Sequence, residues 1–328
     1  MNKSARVAFY LALLWIALPM LAEEATFDRT LQVSGPVDLE VVTGSGHITV
    51  RSGAPGAITV HGVVKESCCN LFGGSQEGAV KAIAANPPIE QSGNTVRIGH
   101  LGESQKYNNI SISYEVTVPA ETKLLSKTGS GGQEISGLTG PAEVRSGSGS
   151  LTITGIAGQV SARTGSGGIT LTNVGGSASA HTGSGAIRGE HIGGGPSSAT
   201  SKRGAAANSF AGNPGTSSAE FDFETGSGNI HIDDLRGAVR AQTGSGRIEL
   251  EGQPMGDWRL GTGSGGITVR LPAQAAFNLN AHSSSGSINT NRQVSVQGTM
   301  GRHELRGTVN GGGFHLDLKT GSGSINID

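Results

Sequence analysis

The sequence is poor in the residues from which most folded domains build a core. Its 328 residues hold two cysteines, two tryptophans, three tyrosines and eight phenylalanines. So few rings argue against one large aromatic core, and a single adjacent pair, Cys68 and Cys69, excludes a disulfide framework. Charged residues make up only 15%, too few for a solvated disordered chain. The formal net charge of −1 argues against a dedicated nucleic-acid binder, which needs a basic face. A metal site needs three or four ligands, and the imidazoles nearest the cysteines in sequence are His61 and His100. Cys68 and Cys69 therefore read as a strained vicinal disulfide, an intermolecular pair or two inert thiols.

Long apolar runs are scarce too, and the clearest has a different use. Lys3 and Arg6 precede an uncharged apolar run, Val7 to Leu18, which is followed by Pro19 and the small residue Ala22. The run is shorter than the ~20 residues of a transmembrane helix, and its layout is that of a cleaved secretory signal over residues 1–22. Removing it leaves 22 basic against 25 acidic residues, a net charge of −3. The expected product is an exported protein of periplasm, cell surface or medium, with no transmembrane segment and no cofactor.

Glycine is abundant instead, 55 of 328 residues, against roughly 7% in ordinary proteins. It clusters as Gly-Ser-Gly. The hexapeptide Thr-Gly-Ser-Gly-x-Ile, with small variations, recurs around Ser45, Ser130, Ser148, Ser166, Ser184, Ser227, Ser245, Ser264, Ser285 and Ser322. The spacings are 85, 18, 18, 18, 43, 18, 19, 21 and 37, so the period is near 18, with 37 close to two periods and 43 reading as two periods plus a short insertion. Within a unit the pattern alternates, as in Val160, Ala162, Thr164 before the turn and Ile169, Leu171 after it. That is two short strands per repeat, each apolar on one face.

The pattern predicts an all-β, single-stranded β-solenoid, right-handed by the general preference of parallel crossovers, with rungs of about 18 residues. The corner Thr shares the inward parity, where its hydroxyl can satisfy turn backbone groups. The turn glycines are expected to supply positive φ. Strands of roughly 5 or 6 residues are too short for a membrane barrel, which needs about 9 to 11. Residues 23–120 are expected to form N-terminal rungs interrupted at 67–93, where 75–85 reads as a helix stopped by Pro87 and Pro88. Residues 121–328 form the repeat region, with a Gly/Ser/Ala-rich loop over 193–218 that contains Lys202 and Arg203.

Three segments together resemble an adhesin-like bacterial family of β-strand repeats. They are Ser111-Ile-Ser-Tyr-Glu-Val-Thr-Val-Pro119, the repeats from Thr128 onward, and Asn310-Gly-Gly-Gly-Phe-His-Leu-Asp-Leu-Lys-Thr-Gly-Ser-Gly-Ser-Ile325. The domain of this family is of unknown function, and its relatives are heads of autotransporter adhesins. The resemblance spans about Leu31 to Asp328 and implies an exported β-solenoid with a role in adhesion.

Catalytic motifs fail against their mechanics. The turns lack the third glycine and the following helix of a phosphate cradle. Calcium-binding nonapeptides need Asp where these repeats carry Ile. The best carboxylate cluster for a polysaccharide lyase is Asp233, Asp234 and Glu251, with Asp233 and Glu251 expected to stack on successive rungs, but no cation or metal cage accompanies it. The protein is therefore expected to be noncatalytic, with no catalytic or metal-binding residue assigned.

One surface row is more informative. The residue before the corner Thr or Ser faces outward, and in four successive units it is Lys127, Arg145, Arg163 and His181. In register these form a basic column suited to an acidic glycan or an anionic envelope polymer. A structural scaffold without a ligand is the plainer alternative. A Thr-x-Thr array, Thr152, Thr154, Thr170 and Thr172, covers only two rungs, too few for an ice-binding face.

Overall fold

The computed structural model describes residues 24–66, 77–100, 110–193, 220–296 and 301–328. The signal-like segment 1–22, Cys68 and Cys69, and the Lys202–Arg203 loop lie outside the described residues. Each repeat places a front strand before its turn and a back strand after it. Front strands pair with front strands and back with back, all in parallel: Ala142–Ser146 with Val160–Thr164, and Leu151–Ile156 with Ile169–Val174, each partner 18 residues on. Period-2 alternation decides what goes inside. Val160, Ala162 and Thr164 are buried while Arg163 between them is exposed, and Ile169 and Leu171 close the rung from the other side. No strand can bury its apolar face alone, so stacking at about 4.8 Å per rung builds the core.

The corner hydroxyls tie rung to rung. Thr164 Oγ1 donates to the Gly149 carbonyl of the preceding rung at 2.8 Å and accepts from its own Gly167 N–H at 3.3 Å. Thr182, Thr225, Thr243 and Thr262 repeat the arrangement. Thr164→Val keeps the shape and leaves two backbone groups without that partner, so it is expected to lower stability by about 1–3 kcal/mol. Ser166→Ala, at the exposed turn serine, is expected to stay within about 0.5 kcal/mol. Paired denaturant titrations check both.

The turn glycines have a different reason from the one expected. Of the glycines flanking the turn serines only Gly46 has positive φ. The constraint is distance. A Cβ on Gly149 would lie 1.7 Å from the Gly131 carbonyl oxygen below it, and one on Gly167 would lie 2.0 Å from that of Gly149. Left-handed backbone occurs instead at the second corner, at Gly137, Gly155, Asn173, His191 and Asp234. Apart from the glycines, these include Asn and Asp, types that tolerate that conformation.

Register gives the order of rungs, named here by their turn serine. Ser45 stacks directly on Ser130, because Val37–Thr43 pairs with Thr122–Thr128 and Ile48–Gly53 with Gln133–Ser136. The stack continues through Ser148, Ser166, Ser184, Ser227, Ser245 and Ser264. The 43-residue spacing is therefore one period of 18 plus 25 inserted residues, since Ala178 pairs with Phe221 with no rung between. Deleting 194–216 removes no described strand, and loop length costs only ~0.6 kcal/mol per doubling. The deletion variant is expected to melt within a few degrees of the full chain in a calorimetric scan.

The path expected of a solenoid, one rung forward per repeat, fails at the C-terminal end. Trp258 pairs with Leu316 and Ile267 with Ile325, so the Ser322 rung sits on Ser264. The Ser285 rung sits beyond it, through Leu279 with Leu316 and Ile288 with Ile325. Corner hydroxyls agree: Thr320 Oγ1 donates to Gly265 O and Ser283 Oγ to Gly323 O, both at 2.8 Å. The spacing of 37 is thus not two forward periods. The chain builds the outermost rung first and returns to insert its last rung beneath.

Both ends are mixed rather than purely parallel. At the N-terminal end Glu24–Gln32 and Ala57–Glu66 form an antiparallel pair, which continues antiparallel onto Ile110–Pro119. Ile89–Ser92, inside the interruption expected over 67–93, forms a hairpin with Thr95–Ile98 just beyond it. The helix spans Glu77–Ala85, buries Val80 and Ile83, and receives a hydrogen bond from Arg29 on the Ala85 carbonyl. At the other end Glu304–Val309 runs antiparallel to Phe277–Ser283. The interior is apolar apart from the corner residues and a few others, of which Gln133 is satisfied by Ser126 and the Arg145 carbonyl.

Candidate functional site

The outward row before the corner is in register as the spacing implies. Lys127 pairs with Arg145, Arg145 with Arg163, and Arg163 with His181. Beyond the inserted loop the row continues as Glu224 and Gln242, then Gly261 and Lys319. Arg145, Arg163, His181, Glu224 and Gln242 wall a groove of about 910 Å³. Its floor is made by corner residues and first turn glycines such as Gly165, Gly183 and Gly226. Without side chains on those glycines, the corner stays low and the groove runs along the stack.

Acidic neighbours balance part of this charge. Lys127 lies 3.4 Å from Glu40, and Arg145 pairs with Glu143 in its own strand. His181 Nδ1 is 3.2 Å from Glu224 and its Nε2 is 3.6 Å from Asp222. Arg163 has no ion-pair or hydrogen-bond partner among the described residues, and its only in-row neighbours are Arg145 and His181. It is the charge best placed to meet an incoming anion. Glu224 and Gln242 were legible in the sequence, because they precede Thr225 and Thr243 as Arg163 precedes Thr164. The loop after residue 193 hid their continuity.

The carboxylates considered for a lyase, Asp233, Asp234 and Glu251, lie at a bulge in the back strands. Asp234 occupies a left-handed position at φ 51°, and the next rung has no counterpart for it. The register on that side therefore jumps from Ile232–Leu250 to Leu235–Gly252, which sets Asp233 and Asp234 together against the single residue Glu251, while on the other side Asp233 pairs with Glu190. Each acid has its own cation: Asp233 lies 2.9 Å from His231, Asp234 3.2 Å from Arg236, and Glu251 4.0 Å from Arg270. Among the described residues no group of three or more His, Cys, Asp and Glu is arranged to hold a metal ion, and no helix is long and apolar enough to cross a membrane. Thr152 and Thr154 do stack on Thr170 and Thr172, but Arg188 and Glu190 follow on the next rung.

With this geometry in place, residues 213–328 match the family model described as Toastrack DUF4097. This part of the chain, 116 of its 328 residues, is similar to the Toastrack family. The rungs from Ser130 to Ser184 lie outside the matched residues yet share the register of the matched rungs across the pairing of Ala178–Thr182 with Glu220–Thr225. No curated protein matches the chain. Two solved structures align over most of it. One is a "putative adhesin" from Bacteroides fragilis NCTC 9343, 13% identical, covering 92% of this chain and 97% of its own, with a TM-score of 0.41. The other is a "putative cell adhesion protein" from Clostridium sporogenes ATCC 15579, 11% identical, covering 93% and 99%, with a TM-score of 0.25.

Proposed function

We propose that the protein is an exported, noncatalytic β-solenoid that holds an anionic polymer of the cell envelope, or an acidic glycan, along the groove beside its Gly-Ser-Gly corner. The observation that carries this reading is the in-register row of Lys127, Arg145, Arg163 and His181, three of which line the groove. Neighbours in such a row stand about 4.8 Å apart. Two guanidinium groups so close repel one another, and an anion laid across them relieves that repulsion. Adhesin-like relatives and the signal-like N-terminus support a location outside the cytoplasm. The coil takes the right-handed sense favoured by parallel crossovers.

The mature protein probed against an array of acidic glycans, neutral glycans and envelope polymers tests the reading. Retention on acidic polymers without cleavage is the expected result. Silence across the array would favour a scaffold without a ligand, and shortened polymer would favour a lyase.

A further inference from the structure

A second cleft, of about 420 Å³, lies across the corner from the groove, on the back strands of the Ser184, Ser227 and Ser245 rungs. Its volume falls within the range of small-ligand sites. Two outward rows form it: Ala186, Asn229 and Arg247 next to the turn, and Arg188, His231 and Glu249 two residues further on. The small side chain of Ala186 leaves the depression that Asn229 and Arg247 bound.

The lining mixes donors and acceptors. Arg188 has no hydrogen-bond or ion-pair partner among the described residues, although it lines the cleft. Arg247 Nη1 is 3.4 Å from Glu249 Oε1, and its backbone N–H donates to Asn229 Oδ1, while the Asn229 amide N–H groups have no partner among the described residues. His231 is fixed between Glu249, 3.2 Å from Nδ1, and Asp233, 2.9 Å from Nε2. Its two ring nitrogens face different carboxylates, so these groups cannot converge on one metal ion.

We infer that this cleft binds one carboxylate-bearing sugar residue, a uronic acid, as a subsite for the acidic polymer of the proposed function, on which this inference rests. The planar guanidinium of Arg188 takes the carboxylate in the two-point geometry that favours arginine. Arg247 and Asn229 donate to ring and hydroxyl oxygens, and Glu249 accepts a hydroxyl proton. Two arginines against the one lining carboxylate, Glu249, leave the cleft one positive charge in excess, which suits a monoanion with hydroxyl groups better than a phosphate dianion. The low Gly-Ser-Gly corner separates this cleft from the groove without side chains that would block a chain passing over it.

Calorimetric titration with trigalacturonate tests the inference, with a neutral galactose trimer and inorganic phosphate as comparison probes. Trigalacturonate is expected to bind the wild type, to bind Arg188→Gln at least roughly tenfold more weakly, and to bind Arg306→Gln, on the end strand Glu304–Val309, as it binds the wild type. The neutral trimer and phosphate are expected to bind far more weakly. Equal affinity in Arg188→Gln, or phosphate held as tightly as the uronate, overturns the subsite. No binding of trigalacturonate, while long polygalacturonate binds and depends on Arg145 and Arg163, overturns the subsite and leaves the groove standing. Failure of the wild type to bind either probe overturns both.

Discussion

Gly149→Ala is expected to destabilise the protein by about 3 kcal/mol or more, at the upper end of overpacking effects. The added Cβ would stand 1.7 Å from the Gly131 oxygen and 2.3 Å from its carbonyl carbon, both main-chain atoms that no rotamer can move. Relief requires the two corners to separate, which breaks the neighbouring hydrogen bond from Ser146 Oγ to the Gly131 carbonyl. Gly44→Ala is the matched control, because a Cβ there meets nothing within 4 Å and its φ is not positive. Were the glycines needed for backbone conformation, the two substitutions would differ little, since neither position has positive φ. Chemical denaturation of both variants separates the explanations.

The second large effect concerns the inserted last rung. Removing residues 311–328 takes away Leu316, Leu318, Ile325 and Ile327, all fully buried. It also removes the strands that join the Ser264 rung to the Ser285 rung, because Phe277–Ser283 pairs only with Glu304–Val309 and Phe314–Thr320 among the described residues. The truncated protein is expected to lose amide-exchange protection over 277–283 and 304–309 while keeping it over 122–192 and 220–252. Four buried aliphatic side chains correspond to roughly 6–12 kcal/mol of burial, so the terminal unit cannot remain docked by its few side-chain contacts. Protection retained over 277–283 and 304–309 would mean that the Ser285 rung packs on Ser264 by itself.

Alternation and spacing made the rung legible. Inward Val160, Ala162 and Thr164, the corner role of the Thr hydroxyl, and the alignment of Lys127 with Arg145, Arg163 and His181 follow from period 2 and period 18 alone. Order along the stack was not legible, for a physical reason. Every rung offers the same inward pattern, so a rung inserted out of sequence satisfies the core as well as one added in turn. The spacing of 37 before Ser322 is ambiguous for that reason.

Other features escaped because they depend on contacts between rungs. A glycine required by a carbonyl in the next rung looks the same in sequence as one required by φ. The single left-handed residue at Asp234 breaks the register beside Glu251, and nothing local announces it. The cleft at Arg188 needs three rungs at once, two of them on opposite sides of the 25-residue insertion.

The central claim is that the basic row is where the protein meets an anionic polymer. Its most direct measurement is the affinity of the wild type and of the Lys127→Gln/Arg145→Gln/Arg163→Gln variant for long polygalacturonate, at low and at physiological salt. All three side chains point outward, and the half-buried Glu40 keeps Arg97 at 3.7 Å and His100 at 3.3 Å when Lys127 is replaced, so the variant is expected to melt close to the wild type. Wild-type affinity is expected to fall as salt shortens the Debye length toward about 8 Å, and the variant to bind at least roughly tenfold more weakly at low salt. Equal binding by the two proteins at low salt would contradict the account.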